Sequence, residues 1–171
     1  MKAKTHSPNK NNLLNWKKPK TDTWHPNFNE ECEVVFSTQH HTIHLISKNE
    51  KNIRKGFTQN ITLKDEKYAY TMLCELKVTS CCSKSASPTL PCGAYIAVYN
   101  IESKETKRTQ RYDIPTDGWI RLKLPFLVIN KRMRYRVAVY VDGVCDAEFR
   151  KIRLIQGKYH GFSFQDGEEA M

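Results

Sequence analysis

The chain has 171 residues, 39% of them hydrophobic and 27% charged, with a net charge of +10. That is enough apolar material for one domain with a full core and too little for two, and it excludes a wholly disordered chain. The longest apolar run, Leu124 to Ile129, falls far short of the ~20 residues of a membrane-spanning helix, while the surplus of Lys and Arg favours anionic partners or serves solubility.

Residues 1–28 read as a basic N-terminal arm, partly disordered, with no hydrophobic period. Lys17, Lys18 and Lys20 form a short basic cluster suited to phosphate binding or nuclear import. Trp24 is expected to dock on the domain that follows. The first residues lack an apolar signal core, so the expected location is cytoplasmic or nuclear.

Residues 29–166 read as a β-sandwich domain, and 167–171 as a C-terminal tail. From Glu31 onward the apolar period is two. Tyr70, Met72, Cys74, Leu76 and Val78 alternate with Thr71, Leu73, Glu75 and Lys77. Further alternating runs cover 94–99, 119–124 and 133–141, and additional strands are expected near 32–38, 41–47, 57–63, 107–113, 148–156 and 159–164. Each run has one core face and one outer face. Pro- and Gly-containing turns separate them, and Asp142-Gly143 predicts a β-hairpin between its flanking strands. Strands this numerous predict an all-β fold, a two-sheet antiparallel β-sandwich of the jelly-roll kind.

No catalytic constellation assembles from the residues. His40, His41 and His44 sit on a β-like run, where His40 and His44 would lie about 13 Å apart, too far to share a metal. No Gly-rich phosphate loop, nucleophile elbow or zincin motif occurs. The six cysteines are Cys32, Cys74, Cys81, Cys82, Cys92 and Cys145. Their spacing supplies no zinc knuckle; free thiols are expected, with Cys74 in the core and a Cys82–Cys92 disulfide open in an oxidising compartment. The chain is therefore read as a non-enzyme without metal or cofactor.

The outer faces carry more information. Arg134 and Arg136 lie on one strand, Arg121 on a second and Arg153 on a third. If those strands are neighbours, a basic stripe crosses one sheet, with Tyr95, Trp119 and Tyr140 as flat surface beside it. The candidate ligand-binding set is Trp24, Tyr95, Trp119, Arg121, Arg134, Arg136, Tyr140 and Arg153. Aromatic rings stack on sugars or bases, and Arg forks bind carboxylate, sulfate or phosphate. The competing reading makes the Arg residues a solvated face and buries Trp119.

Several segments resemble the galactose-binding-like jelly-roll superfamily, which includes carbohydrate-binding modules and the F-box-associated and phloem-lectin sugar-binding domains. Asn12-Leu13-Leu14-Asn15 with Trp24 is similar to the opening "N-L-x-x-N … W". Phe57 to Leu63 followed by Tyr68-Ala69-Tyr70 resembles "Q-x-I-x-L … Y-x-Y". Gly93 to Ile96, Asp117-Gly118-Trp119 and the closing strand Phe149 to Leu154 fit in order. The resemblance implies a lectin-like binding module whose ligand meets a sheet face or the loops near 22–28, 80–92 and 142–147. Arg150 and Lys151 stand where microbial modules often carry a calcium-linked Asp, so no calcium is carried over. The leading reading is a non-catalytic module recognising a glycan or other anionic ligand. The alternatives are a protein-interaction domain for an acidic partner and a nucleic-acid binder using the arm and stripe.

Overall fold

The computed structural model describes residues 13–14, 24–27, 32–37, 42–63, 68–81, 90–128 and 132–157. In chain order the strands are β1 (His25–Asn27), β2 (Cys32–Ser37), β3 (Thr42–Ser47), β4 (Lys55–Leu63), β5 (Tyr68–Cys81), β6 (Gly93–Asn100), β7 (Thr106–Arg108), β8 (Ile120–Val128), β9 (Met133–Asp142) and β10 (Cys145–Gly157). They form two five-stranded antiparallel sheets, a front sheet β1-β4-β9-β6-β7 and a back sheet β2-β3-β10-β5-β8. The expected all-β sandwich is what the chain forms.

Alternation builds the core. Ile96 and Val98 of β6 and Val137, Val139 and Val141 of β9 point inward from the front sheet. Met72, Leu76, Leu122, Phe149 and Leu154 meet them from the back, all in one cluster. Burying such side chains is worth roughly 1.5–3 kcal/mol each against leaving them in water. The alternation of β10 changes phase once. Phe149 and Ile152 are both fully buried, because the register with β5 shifts between Arg150 and Arg153 and Lys151 has a positive φ of 51°. This bulge turns Arg150 and Lys151 to the same outer face.

Two expectations change. First, Asp142-Gly143 is not a hairpin: β9 pairs with β4 and β6, whereas β10 pairs with β3 and β5. The dipeptide carries the chain from one sheet to the other. Gly143 has φ 68°, its N–H donates to the Asn52 carbonyl, and a Cβ there would meet the Pro91 carbonyl oxygen at 3.0 Å. Second, residues ahead of 29 take part in the sandwich. Leu14 and Trp24 lie in the core, the Leu13 N–H donates to the Leu154 carbonyl, and β1 extends the front sheet. The expected strand at 107–113 is shorter, with Tyr112 contributing a single bridge to Ala94. Lys17, Lys18, Lys20, the strand expected at 159–164 and the tail 167–171 fall outside the described residues.

Candidate functional site

Register partners in an antiparallel pair project to the same side of the sheet, so the outer face of the front sheet can be read row by row. One row is Asn27, Gly56, Tyr140 and Tyr95. The next is His25, Thr58, Ala138, Ala97 and Arg108. The third is Asn60, Arg136, Tyr99 and Thr106. Small side chains thus run across the strands between a tyrosine row and a row of Asn, Arg and Tyr. Arg108 stands at one end of this trough and His25 at the other.

The tyrosine row is tightly held. The Tyr95 and Tyr140 rings pack with centroids 5.6 Å apart, and with Ala97 and Ala138 they form an apolar cluster outside the main core. Gly56 is required within this row, because a Cβ there would come within 1.9 Å of the Val139 carbonyl oxygen. Guanidinium groups lie over the rings: Arg111 and Arg108 over Tyr95 at 5.1 and 5.8 Å, and Arg136 over Tyr99 at 5.9 Å. Such contacts orient the cations while leaving edges of each fork open to a ligand. Arg136 also donates to the Asn60 side-chain oxygen at 3.1 Å, which lines the amide up beside the guanidinium. Among the described residues neither Arg108 nor Arg136 enters an ion pair.

Asp142 organises the end of the site. Its carboxylate is 0% exposed and accepts from Arg111 Nε at 2.6 Å, from the Tyr95 hydroxyl at 3.3 Å and from the Arg54 backbone N–H. Arg54 takes a positive φ of 52°, and its carbonyl accepts from Asn27 Nδ2. Burial, then the charge of Asp142, pushes the Tyr95 phenol up, and burial does the same for Tyr140. Both remain neutral donors through the physiological range. At the other end Glu102 receives Arg134 Nε at 2.6 Å, and that hydrogen bond holds its carboxyl below the ordinary range.

Tyr95, Tyr140, Arg134 and Arg136 therefore come together on the front sheet. Trp119, Arg121 and Arg153 do not join them. β8 and β10 are back-sheet strands, so the expected stripe is divided between opposite sides of the molecule. On the back face Arg150 stacks over the Trp119 ring at 3.8 Å and donates twice to Glu75 Oε2, while Lys151 pairs with Oε1 at 2.8 Å. Arg121 is the register partner of Glu75 and Arg153 of Leu73. Burial opposes ionisation of Glu75, but hydrogen bonds from Lys151 and Arg150 outweigh it and hold the carboxyl low. Trp24 is 3% exposed and packs inside the sandwich, so it presents no ring to a ligand.

Arg108, Arg111, Asp142, Asn60 and Gly56 were not in the expected set. The run Lys107-Arg108-Thr109-Gln110-Arg111 carried a visible signal, whereas Asp142 read as a turn residue. His44 lies on the outer face of the back sheet, 2.6 Å from Asp146 and 3.7 Å from Glu148; His40 and His41 fall outside the described residues. Among the described residues no group of three or more His, Cys, Asp or Glu side chains is arranged to hold a metal ion, and no helix is long and apolar enough to cross a membrane. Cys74 is a buried core residue.

Neither a protein-family model nor a curated protein matches the sequence. Solved structures do match in fold. The CBM22-1 xylan-binding domain of Paenibacillus barcinonensis Xyn10C superposes with a TM-score of 0.51 at 10% identity, covering 85% of this chain and 92% of that one. A CBM4 structure gives 0.52 at 10% identity, with 80% and 88% covered. The enzymatically active domain of bacteriophage CBA120 tailspike protein 4 gives 0.52 at 12% identity, covering 79% of this chain but 19% of that one. The chain thus shares a two-sheet jelly-roll fold with these solved structures. At this identity the likeness is one of fold.

Proposed function

We propose that the protein is a non-catalytic carbohydrate-binding module whose front-sheet outer face takes an acidic glycan. The observation that carries this reading is the accessible row of Asn60, Arg136 and Tyr99 with the exposed Arg108 beside it, standing over a buried floor of Tyr95, Tyr140, Ala97 and Ala138. A pyranose ring laid on this row would set its apolar C–H face against the half-buried Tyr99 ring, while Tyr95, Tyr140, Ala97 and Ala138 form the buried floor beneath the arginines. Asn60 and Arg136 present adjacent donors and an acceptor that match vicinal hydroxyls. Arg108 and Arg136 add bidentate donors for a uronate or sulfate. The xylan-binding module named above, with the same fold, supports the carbohydrate half of the reading. The charge of the face supports the acidic half.

A glycan array probed with the full-length protein tests it. Uronate-containing or sulfated oligosaccharides are expected to bind, and their neutral counterparts more weakly. Absence of any glycan binding would refute the module reading. Should nucleic acid bind instead, with affinity falling steeply in salt, the face would have to be reassigned.

A further inference from the structure

Three cysteines meet at the end of the sandwich where Asp142 lies. Cys81 closes β5 and Cys145 opens β10, as register partners in the back sheet. Cys92 directly precedes β6 of the front sheet. Its Sγ lies 3.0 Å from Cys81 Sγ and 3.6 Å from the Val144 carbonyl oxygen. Gly143 closes the other side, where a Cβ would stand 3.4 Å from Cys92 Cβ. Cys81 and Cys92 are half-exposed, whereas Cys145 is buried. The two half-exposed sulfurs need approach by only about 1 Å to reach the ~2.05 Å of a disulfide. The sequence left a Cys82–Cys92 bond open; the structure sets Cys81 against Cys92, and Cys82 falls outside the described residues.

We propose that Cys81 and Cys92 are an oxidation site, closed to a disulfide by a peroxide-class oxidant, and that the bond staples the back sheet to the front sheet. Cys92 supplies the first sulfur, because the Cys145 hydrogen bond and burial push the Cys81 thiol up. Its thiolate attacks a peroxide oxygen, the O–O bond breaks, and the released hydroxide leaves as water, giving a sulfenic acid. Cys81 sulfur then attacks the sulfenic sulfur. The S–S bond forms, the S–OH bond breaks, and the departing hydroxide takes the Cys81 proton as a second water. Two electrons pass from two thiols to one peroxide. The cysteines are eleven positions apart, so the bond closes a short loop and joins strands of different sheets.

Treating the full-length protein with hydrogen peroxide, alkylating free thiols without reduction, and mapping the digest by mass spectrometry tests the site. Fragmentation of the cross-linked peptide from the unmodified sequence assigns its sulfurs directly. The bridge is expected to persist in Cys82→Ser and Cys145→Ser and to be lost in Cys81→Ser and Cys92→Ser. Oxidation is expected to raise Tm by about 5 °C, and by nothing in Cys92→Ser. No bridge, a bridge to Cys145, or a bridge that survives Cys81→Ser would overturn the assignment. A bridge without a rise in Tm would overturn the staple.

Discussion

Asp142 is the residue on which the front-sheet site depends most. A fully buried carboxylate is tolerated only when its charge and lone pairs are met, and here Arg111, the Tyr95 hydroxyl and the Arg54 N–H meet them. Asp142→Ala leaves those donors unanswered and is expected to cost about 3 kcal/mol in urea denaturation. Gly56 is constrained from a different direction. Gly56→Ala places a methyl group on the Val139 carbonyl and is expected to cost about 2 kcal/mol by forcing β4 away from β9. Glu75 sets a pH dependence. Its folded-state pKa is lowered, so its contribution is complete above the unfolded carboxyl value and is lost as pH falls through the folded one. Glu75→Gln is therefore expected to be about 1 kcal/mol less stable than the parent at pH 7. The difference is expected to close on acidification, which paired denaturation curves at neutral and acid pH measure. A constant difference would show that Glu75 acts by packing rather than charge.

At the scale of strands, alternation makes an element's existence and its two faces legible but not its sheet. Val137, Val139 and Val141 announce β9 in the sequence, and Leu122 and Leu124 announce β8. Nothing local to either says that they lie in opposite sheets, so the expected basic stripe was drawn across a boundary. The Asp142-Gly143 turn shows the same limit. The φ > 0 that Gly143 supplies suits a hairpin and an inter-sheet corner equally. What decides is long-range, the fit of Gly143 against Pro91 and Cys92 and the burial of Asp142. The β10 bulge, by contrast, leaves a local trace: Phe149 and Ile152 stand three apart with Arg150-Lys151 between them, and a positive φ at Lys151 makes the change of phase. Gly143→Ala is expected to weaken the corner more than Gly118→Ala weakens its turn. Both glycines have positive φ, but a Cβ meets nothing within 4 Å at Gly118 and meets Pro91 oxygen at Gly143. Thermal melts of the two variants compare them, and equal losses would show that backbone strain alone governs both.

For the whole molecule, the net charge of +10 does not by itself mark a site. On the back face Arg150 and Lys151 are committed to Glu75. On the front face Arg108 and Arg136 lie over tyrosine rings and, among the described residues, enter no ion pair. The fold was legible in the sequence because it rests on repeated local alternation. The candidate site was legible only in part, since the placing of Tyr95, Tyr140, Arg134 and Arg136 on one face depends on strand order. The most direct test is calorimetric titration of an acidic oligosaccharide from the array into the parent, Arg136→Ala and Arg121→Ala proteins. Loss of a charged hydrogen-bonding fork is expected to weaken Kd at least about tenfold in Arg136→Ala, with Arg121→Ala, on the opposite face, binding like the parent. Equal binding by all three, or loss in Arg121→Ala alone, would contradict a front-sheet site.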